Sequence, residues 1–439
     1  MTQKSPEFLW GVATSAHQIE GNNVHNDWWA WESQGNIEGG ARSGPATDHW
    51  NRSAEDLKLA AELGINTYRF SVEWSRIEPQ EGQWDSAAIE WYRNLLLECE
   101  KKNLIPMLTL HHFTSPQWFA AKGGFVSDKA VFYFSRFVEK VVVELGAHVP
   151  FWCTINEPMV LIAGTYLGKF MPPATFSPHL ASKACAQLFR CHVEAYRKIH
   201  TKIPPRKGPW KDLPLQVGFA HNMLDFMPDR KWHPIEEILS RVFRRFYNDS
   251  WLDAVVGKKQ RFGVLGLIPK PEIVREALGK RTVDFIGVNY YTKAYVRWRP
   301  RDANTDTSPH VPLGLAFARR KEPSSDLDWA IHPRGLYRVL KRAQKCEVPI
   351  YITENGIADR TDRLRPDYIR THLEQVERAR AKGMDIRGYY YWSLLDNFEW
   401  IKGFGPRFGL YTVNYETFER TKTRSAEIYR EWIQSKPSQ

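Results

Sequence analysis

Apolar residues in this chain fall into short, nearly continuous runs separated by longer stretches of helical spacing. Eight such runs occupy residues 9–14, 67–71, 106–110, 149–155, 216–220, 285–289, 350–353 and 388–392. Apolar on both faces, they predict strands buried on both sides, as in a parallel sheet. The intervening stretches read as amphipathic helices. Residues 53–63 offer Ser53 as an N-cap, then Leu57, Ala60 and Ala61 on one face. Residues 85–101 align Ile89, Tyr92, Leu96 and Cys99, and residues 127–145 align Val131, Phe134, Phe137, Val138 and Val141 before a stop at Gly146. Residues 366–381 and 425–433 repeat the pattern.

Eight strand–helix alternations predict an α/β fold, a (β/α)8 TIM barrel with elaborated βα loops, residues 1–439 forming one catalytic domain. No low-complexity linker divides it. The stretches 202–214 and 297–326 are rich in proline and basic residues and are expected to be extended loops on the barrel rim. This fold gathers its chemistry at the carboxyl ends of the strands. The residues expected to converge there include Gln18, Arg69, His111, His112, Asn156, Glu157, Asn289, Tyr290, Tyr291, Glu354, Trp392 and Ser393. The fifth run supplies His221 and Asn222, without an assigned role.

Two of these residues change the picture. Glu157 and Glu354 each end a buried run, where an ionised carboxylate is poorly placed for stability because it resists desolvation. Alike in context and far apart in sequence, they predict a carboxylate pair that does chemistry. Across a cleft, one carboxyl can protonate a leaving oxygen while the other attacks a sugar carbon or activates water. Divalent-cation sites instead cluster several carboxylates, and the expected neighbours here are Asn156, Arg69 and Tyr291. Neither a metal nor another cofactor is expected, and no glycine-rich phosphate loop or dinucleotide fingerprint is present.

Composition narrows the class further. Aromatics reach 13%, with 18 Trp and 18 Tyr, which suits a large core or a cleft of flat apolar faces. The net charge of +11 is scattered over separate segments (297–301, 319–321, and Arg206, Lys207 with Lys211) and forms no nucleic-acid motif, so no nucleic-acid partner is expected. No run approaches the roughly 18 apolar residues of a membrane span, and the chain opens without an apolar leader. A cytoplasmic protein without a membrane partner is therefore expected, and the sequons at Asn51 and Asn248 are read as coincidental. Five cysteines lack metal-ligand spacing and are read as reduced packing residues.

Three motifs carry a resemblance: Thr154-Ile155-Asn156-Glu157-Pro158, Ile352-Thr353-Glu354-Asn355-Gly356, and Trp392-Ser393-Leu394-Leu395-Asp396-Asn397-Phe398-Glu399-Trp400. In order and each at a strand end, they resemble glycoside hydrolase family 1, the β-glucosidase-like retaining glycosidases. The resemblance runs from Phe8 to Leu410. It implies that Glu157 is the general acid/base and Glu354 the nucleophile, with Arg69 and Tyr291 holding the nucleophile ionised and aimed. It also implies that Asn156 holds the sugar 2-hydroxyl, that Gln18, His112 and Glu399 read other hydroxyls, and that Trp392 is an apolar platform with Trp400 and Phe408 nearby. Arg69 is expected to lower the pKa of Glu354, and Glu354 to raise that of Glu157.

The chain departs from the family pattern at Phe113 after His112, at Met159 after Pro158, and at His17 before Gln18. These positions bear on aglycone preference and sugar selectivity. Family members acting on 6-phosphorylated sugars carry Ser near the Glu399 position; a carboxylate there would repel phosphate. The resulting expectation is a retaining hydrolase of small β-glucosides or short oligosaccharides, with β-fucosides and β-galactosides as further substrates. A transglycosylase using the same pair and a non-catalytic sugar-binding barrel are the alternatives.

Overall fold

The eight apolar runs become the eight strands of a closed parallel barrel in a computed structural model, which describes residues 8–258, 260–262, 272–275, 277–298, 315–317 and 321–436. They are β1 (Leu9–Ala13), β2 (Thr67–Ser71), β3 (Ile105–His111), β4 (Phe151–Asn156), β5 (Gln216–Asn222), β6 (Phe285–Asn289), β7 (Ile350–Asn355) and β8 (Ile386–Trp392). Consecutive strands pair in parallel, and β1 closes on β8 with Leu9 opposite Gly388 and Ala13 opposite Trp392.

Side chains alternate between two cores, as a strand's period of two requires. Trp10, Val12, Tyr68 and Phe70 pack outward against the helices. Leu9, Ile105, Phe151, Phe285 and Tyr351, near the strand starts, pack with one another inside the barrel. Above this apolar plug the interior turns polar at Arg69, Thr109, Asn156 and Asn289, all buried. Close packing is severe at Gly11, where a Cβ would lie 2.6 Å from Thr67 Cγ2 and 2.8 Å from the Thr67 carbonyl oxygen.

The helices match their predicted faces, with two local differences. The helix His49–Glu62 starts before Ser53, with Asp48 at its N-cap position making no side-chain cap; it departs from helical geometry at Arg52, so Ser53 opens only its regular part. Gly146 does not stop its helix through a left-handed turn, since its φ is −62°. It is small because Ile203 and Pro204 pack against it, 3.0 and 3.2 Å from where a Cβ would sit.

The loop after the helix Pro178–Lys202 leads into the start of β5, so it runs beneath the barrel, opposite the carboxyl ends. There Lys207 N–H donates to the Ala147 carbonyl at 2.7 Å, and Trp210 and Leu213 pack on the lower plug. Of the second predicted loop, residues 299–314 and 318–320 lie outside the described residues. Its described part contributes Leu315–Ala316 to a three-stranded sheet with Asp225–Pro228 and Lys293–Val296. All five cysteines are buried and free. Asn248 is also buried, its amide spent on both backbone groups of Leu224, so the sequon there is closed. Among the described residues, no helix is long and apolar enough to cross a membrane.

Gly11→Ala should lower unfolding stability by about 1–3 kcal/mol through overpacking of the barrel wall. Phe132→Ala, at an exposed site, should stay within about 0.5 kcal/mol of the parent. Chemical denaturation of the two variants beside the parent measures both.

Candidate active site

The polar layer closes the barrel interior just beneath a cleft of about 830 Å³ at the carboxyl ends of the strands. Its centre is Arg69, which rises from β2 and is 1% exposed. Nη1 donates to Glu354 Oε1 at 2.6 Å and to the Thr353 carbonyl at 3.0 Å. Nη2 donates to Asn156 Oδ1 at 2.7 Å, and Nε to Thr109 Oγ1 at 3.2 Å. A buried cation is costly unless its donors are met; here strands β3, β4 and β7 meet them.

The two glutamates reach the cleft by different local devices. Along β7 the pairing register shifts on both sides near Glu354, a bulge that re-aims the strand's last side chains. Glu354 Oε1 takes the guanidinium, and Oε2 accepts from the Tyr291 hydroxyl at 2.6 Å. Glu157 follows β4 at the start of the helix Pro158–Tyr166 with φ 45° and ψ 59°. That left-handed backbone is strained for a residue with a long side chain. Its Oε1 accepts from Asn289 Nδ2 at 2.9 Å and from Asn222 Nδ2 at 3.1 Å. Asn289 also donates to Asn156 Oδ1 at 3.1 Å and accepts from Thr353 Oγ1 at 2.7 Å, tying the β4 end to the β7 end through β6.

Both carboxyls line the same cleft, and their ionisation is coupled. Burial, then repulsion from Glu354, pushes Glu157 up to about 8. Glu399 is pushed up to about 8 by burial and by both of these glutamates. Glu354 was expected to fall under the pull of Arg69; burial instead outweighs the guanidinium and Tyr291 and raises it. It is still the carboxyl in direct contact with a buried cation, which sets it apart from the other two. His112 is held well below its ordinary value by burial and by Arg69, and so is neutral. Asn156 Nδ2 lies 3.2 Å from its Nε2, while its Nδ1 has no partner among the described residues.

Of the expected site residues, His112, Asn156, Glu157, Tyr291, Glu354, Trp392, Glu399, Trp400 and Phe408 all line this cleft. The His112 ring lies near-parallel to both Trp392 and Trp400, with centroids at 5.9 and 6.1 Å. Arg69 and Gln18 are not on the wall. Gln18 is fully buried, its Nε2 donating to Asn397 Oδ1 and the Phe398 carbonyl, both at 2.9 Å, and to Glu399 Oε2 at 3.3 Å. It supports the segment that carries Glu399.

The three departures fare differently. Phe113 lines the cleft and packs edge-on against Trp400. His17 is buried between Glu32 and Asn26 and does not reach the wall. Met159 does not stand on the leaving-group side: it is buried with its sulfur 3.9 Å from Cys185 Sγ, and Val160 and Ala163 of the same helix face the cleft instead. Asn222 and Asn289 had no assigned role, although both end apolar strands, the position that marked the glutamates. Tyr247, which donates to Asn222 Oδ1 at 2.8 Å, carried no signal in the sequence. Among the described residues, no group of three or more His, Cys, Asp or Glu side chains could hold a metal ion.

Comparison with known proteins agrees with this fold. The solved structure of a beta-glycosidase from Pyrococcus horikoshii superposes with a TM-score of 0.86 at 39% identity, covering 99% of this chain and 96% of that one. The beta-glucosidase from Thermotoga maritima in complex with glucoimidazole gives 0.85 at 29% identity, covering 99% of both chains. A 6-phospho-beta-galactosidase from Staphylococcus aureus is 30% identical over 99% of each chain. The sequence model of glycosyl hydrolase family 1 matches residues 2–438, and the chain belongs to that family.

Proposed function

We propose that this glycosidase is a retaining β-glycosidase of unphosphorylated β-glucosides, also accepting β-fucosides and β-galactosides, with Glu354 as nucleophile and Glu157 as acid/base. The observation that carries the reading is the split between the two carboxyls: one held by a guanidinium, the other pushed up to about 8. Such a split is how one cleft keeps an anion and an acid side by side.

The ionised Glu354 attacks the anomeric carbon while Glu157 gives its proton to the departing glycosidic oxygen. The glycosyl–Glu354 ester then carries no charge, and the repulsion that kept Glu157 protonated disappears. Glu157 can now take a proton from water, which attacks the same carbon and releases sugar of retained configuration. A sugar hydroxyl in place of water would give transglycosylation. The two carboxyl groups of such a pair stand about 5–5.5 Å apart.

The cleft's polar groups suit a sugar. Trp392 offers an apolar face, and His112 and the Glu399 carboxyl, which line the cleft, offer hydrogen bonds to hydroxyls. Beyond them the walls turn apolar at Leu167, Phe170, Met171, Phe226 and Phe246, which favours an aryl or alkyl aglycone. The Staphylococcus aureus relative, by its name, makes a 6-phosphorylated galactoside the competing substrate. Glu399 speaks against it, since a carboxyl there offers a phosphate no cation and the ionised Glu354 in the same cleft repels its charge. Aryl β-glucoside should be cleaved at least about tenfold faster than its 6-phosphate, a difference of about 1.4 kcal/mol; the reverse order would favour the phosphate reading.

Glu354→Gly should lower turnover of an aryl β-glucoside by at least about three orders of magnitude, and azide should restore it with an α-configured azide product. Proton NMR of the parent reaction should show β-anomer first, and α-anomer first would exclude retention. Glu157→Ala should cost about 10²–10⁴-fold with poor leaving groups and far less with good ones.

The rate should follow a bell against pH whose alkaline limb, near 8, reports loss of the acid form. The same ionisation bears on stability. Between about 4.5 and 8, the unfolded Glu157 ionises while the folded one stays protonated, so stability is lost as pH rises through that window. Glu157→Gln removes this loss. Its melting temperature should gain on the parent's as pH rises from 4.5 and level off above 8; a constant offset would contradict the raised pKa.

A further inference from the structure

The helix Pro234–Phe243 walls the cleft with Phe243, and Phe246 in the turn that follows does the same. The flank of the helix turned roughly 100° away from Phe243 has no such use. Ile235, Ile238 and Val242 fall on one stripe of the helix and are exposed, Ile238 by 59%. Trp232, two residues before the helix, is 95% exposed. Its φ of 65° places a bulky aromatic residue in left-handed backbone. Trp298, 55% exposed, lies near the same helix, its backbone N–H donating to Glu236 Oε1 at 3.2 Å. Isolated exposed apolar residues are ordinary, whereas a contiguous group on one cleft wall marks an interaction surface.

The charges around the group say what it meets. Residues 230–245 hold five basic side chains (Arg230, Lys231, Arg241, Arg244, Arg245) against two acidic ones, for a net of +3. Both acids are already engaged, Glu236 by Arg230 and Glu237 by Arg241. Arg241, one turn on from Ile238, and Arg245, in the π-helical segment that follows, have side chains 70% and 75% exposed, with pairing to Glu237 and Asp253. An apolar stripe carrying Trp and edged by arginine is the pattern of a helix lying in a membrane interface. A symmetric contact with a second copy would set like charges of two such edges against each other.

We infer that this face docks on an anionic lipid surface, with Trp232, Ile235, Ile238 and Val242 in the headgroup layer and Arg241 and Arg245 on acidic headgroups. This is a surface contact and not a span, so it is consistent with the lack of a membrane-crossing helix among the described residues. It would hold a cleft wall against the bilayer, whatever the sugar cleaved inside.

Co-sedimentation of the full chain with vesicles tests it. The parent should bind vesicles of phosphatidylcholine with about 30% phosphatidylglycerol at least about fivefold more than phosphatidylcholine alone, and about 0.5 M salt should reduce that binding. Trp232→Ala with Ile238→Asp should lower binding about tenfold or more, the loss expected for two buried apolar anchors, with melting temperature unchanged. Arg241→Glu with Arg245→Glu, on exposed sites, should abolish the preference for acidic lipid. The inference is overturned if the parent stays in the supernatant with both vesicle types, or if both double variants bind as the parent does. It is equally overturned if the parent is a dimer that Trp232→Ala with Ile238→Asp dissolves, which would make a second copy the occupant.

Discussion

A guanidinium buried inside the barrel singles out one of the three carboxyls above it, while burial pushes all three up. Arg69 touches Glu354 directly, and Glu157 and Glu399 feel Glu354 through a medium that screens charge poorly. Three ionised carboxyls around one cation would leave the cleft with two uncompensated negative charges. The arrangement with one carboxylate beside Arg69 and two neutral acids avoids that. It also supplies what acetal cleavage needs, an anion and a proton donor facing one substrate. Burial, which pushes up all three groups, therefore acts with the guanidinium in dividing their roles, even though it opposes it at Glu354 itself.

The barrel makes such a centre tolerable. Arg69 draws partners from three other strands, and Asn289 links the ends of β4 and β7, so the hydrogen bonds that satisfy the buried charge also fix the glutamates relative to each other. The strain falls at two places: the left-handed backbone of Glu157 and the register shifts that end β4 and β7. Neither is expected of a structure shaped only for stability. The packing of the apolar plug beneath, where Gly11 leaves no room for a methyl group, keeps that layer from relaxing.

Much of this was legible in the sequence, for a physical reason. Strands buried on both faces are nearly all apolar, so the polar residue that ends each run stands out, and the closed sheet brings those ends together. That is why His112, Asn156, Glu157, Tyr291, Glu354 and Trp392 could be placed on one cleft. The misses arise where a side chain's direction depends on tertiary contacts. Met159 turns toward Cys185 and away from the leaving-group side, because the helix that starts at a strained Glu157 aims Val160 and Ala163 into the cleft. Gln18 spends its amide on the Glu399 segment, and Ser53 does not begin its helix. The sheet formed by Asp225–Pro228, Lys293–Val296 and Leu315–Ala316 has strands too short to register as a pattern. The arithmetic of the net charge also hid the fact that part of it edges an exposed apolar helix.

The division between Glu354 and the two acids around it can be read from one covalent event. A 2-deoxy-2-fluoro-β-glucoside with a dinitrophenolate leaving group should form its glycosyl-enzyme quickly and lose it slowly, because fluorine destabilises both transition states while the leaving group rescues the first. Mass analysis of the protein and of its peptides should then find one sugar per chain, carried by the peptide that contains Glu354. A label on Glu157 or Glu399, or no covalent adduct at all, would contradict the account.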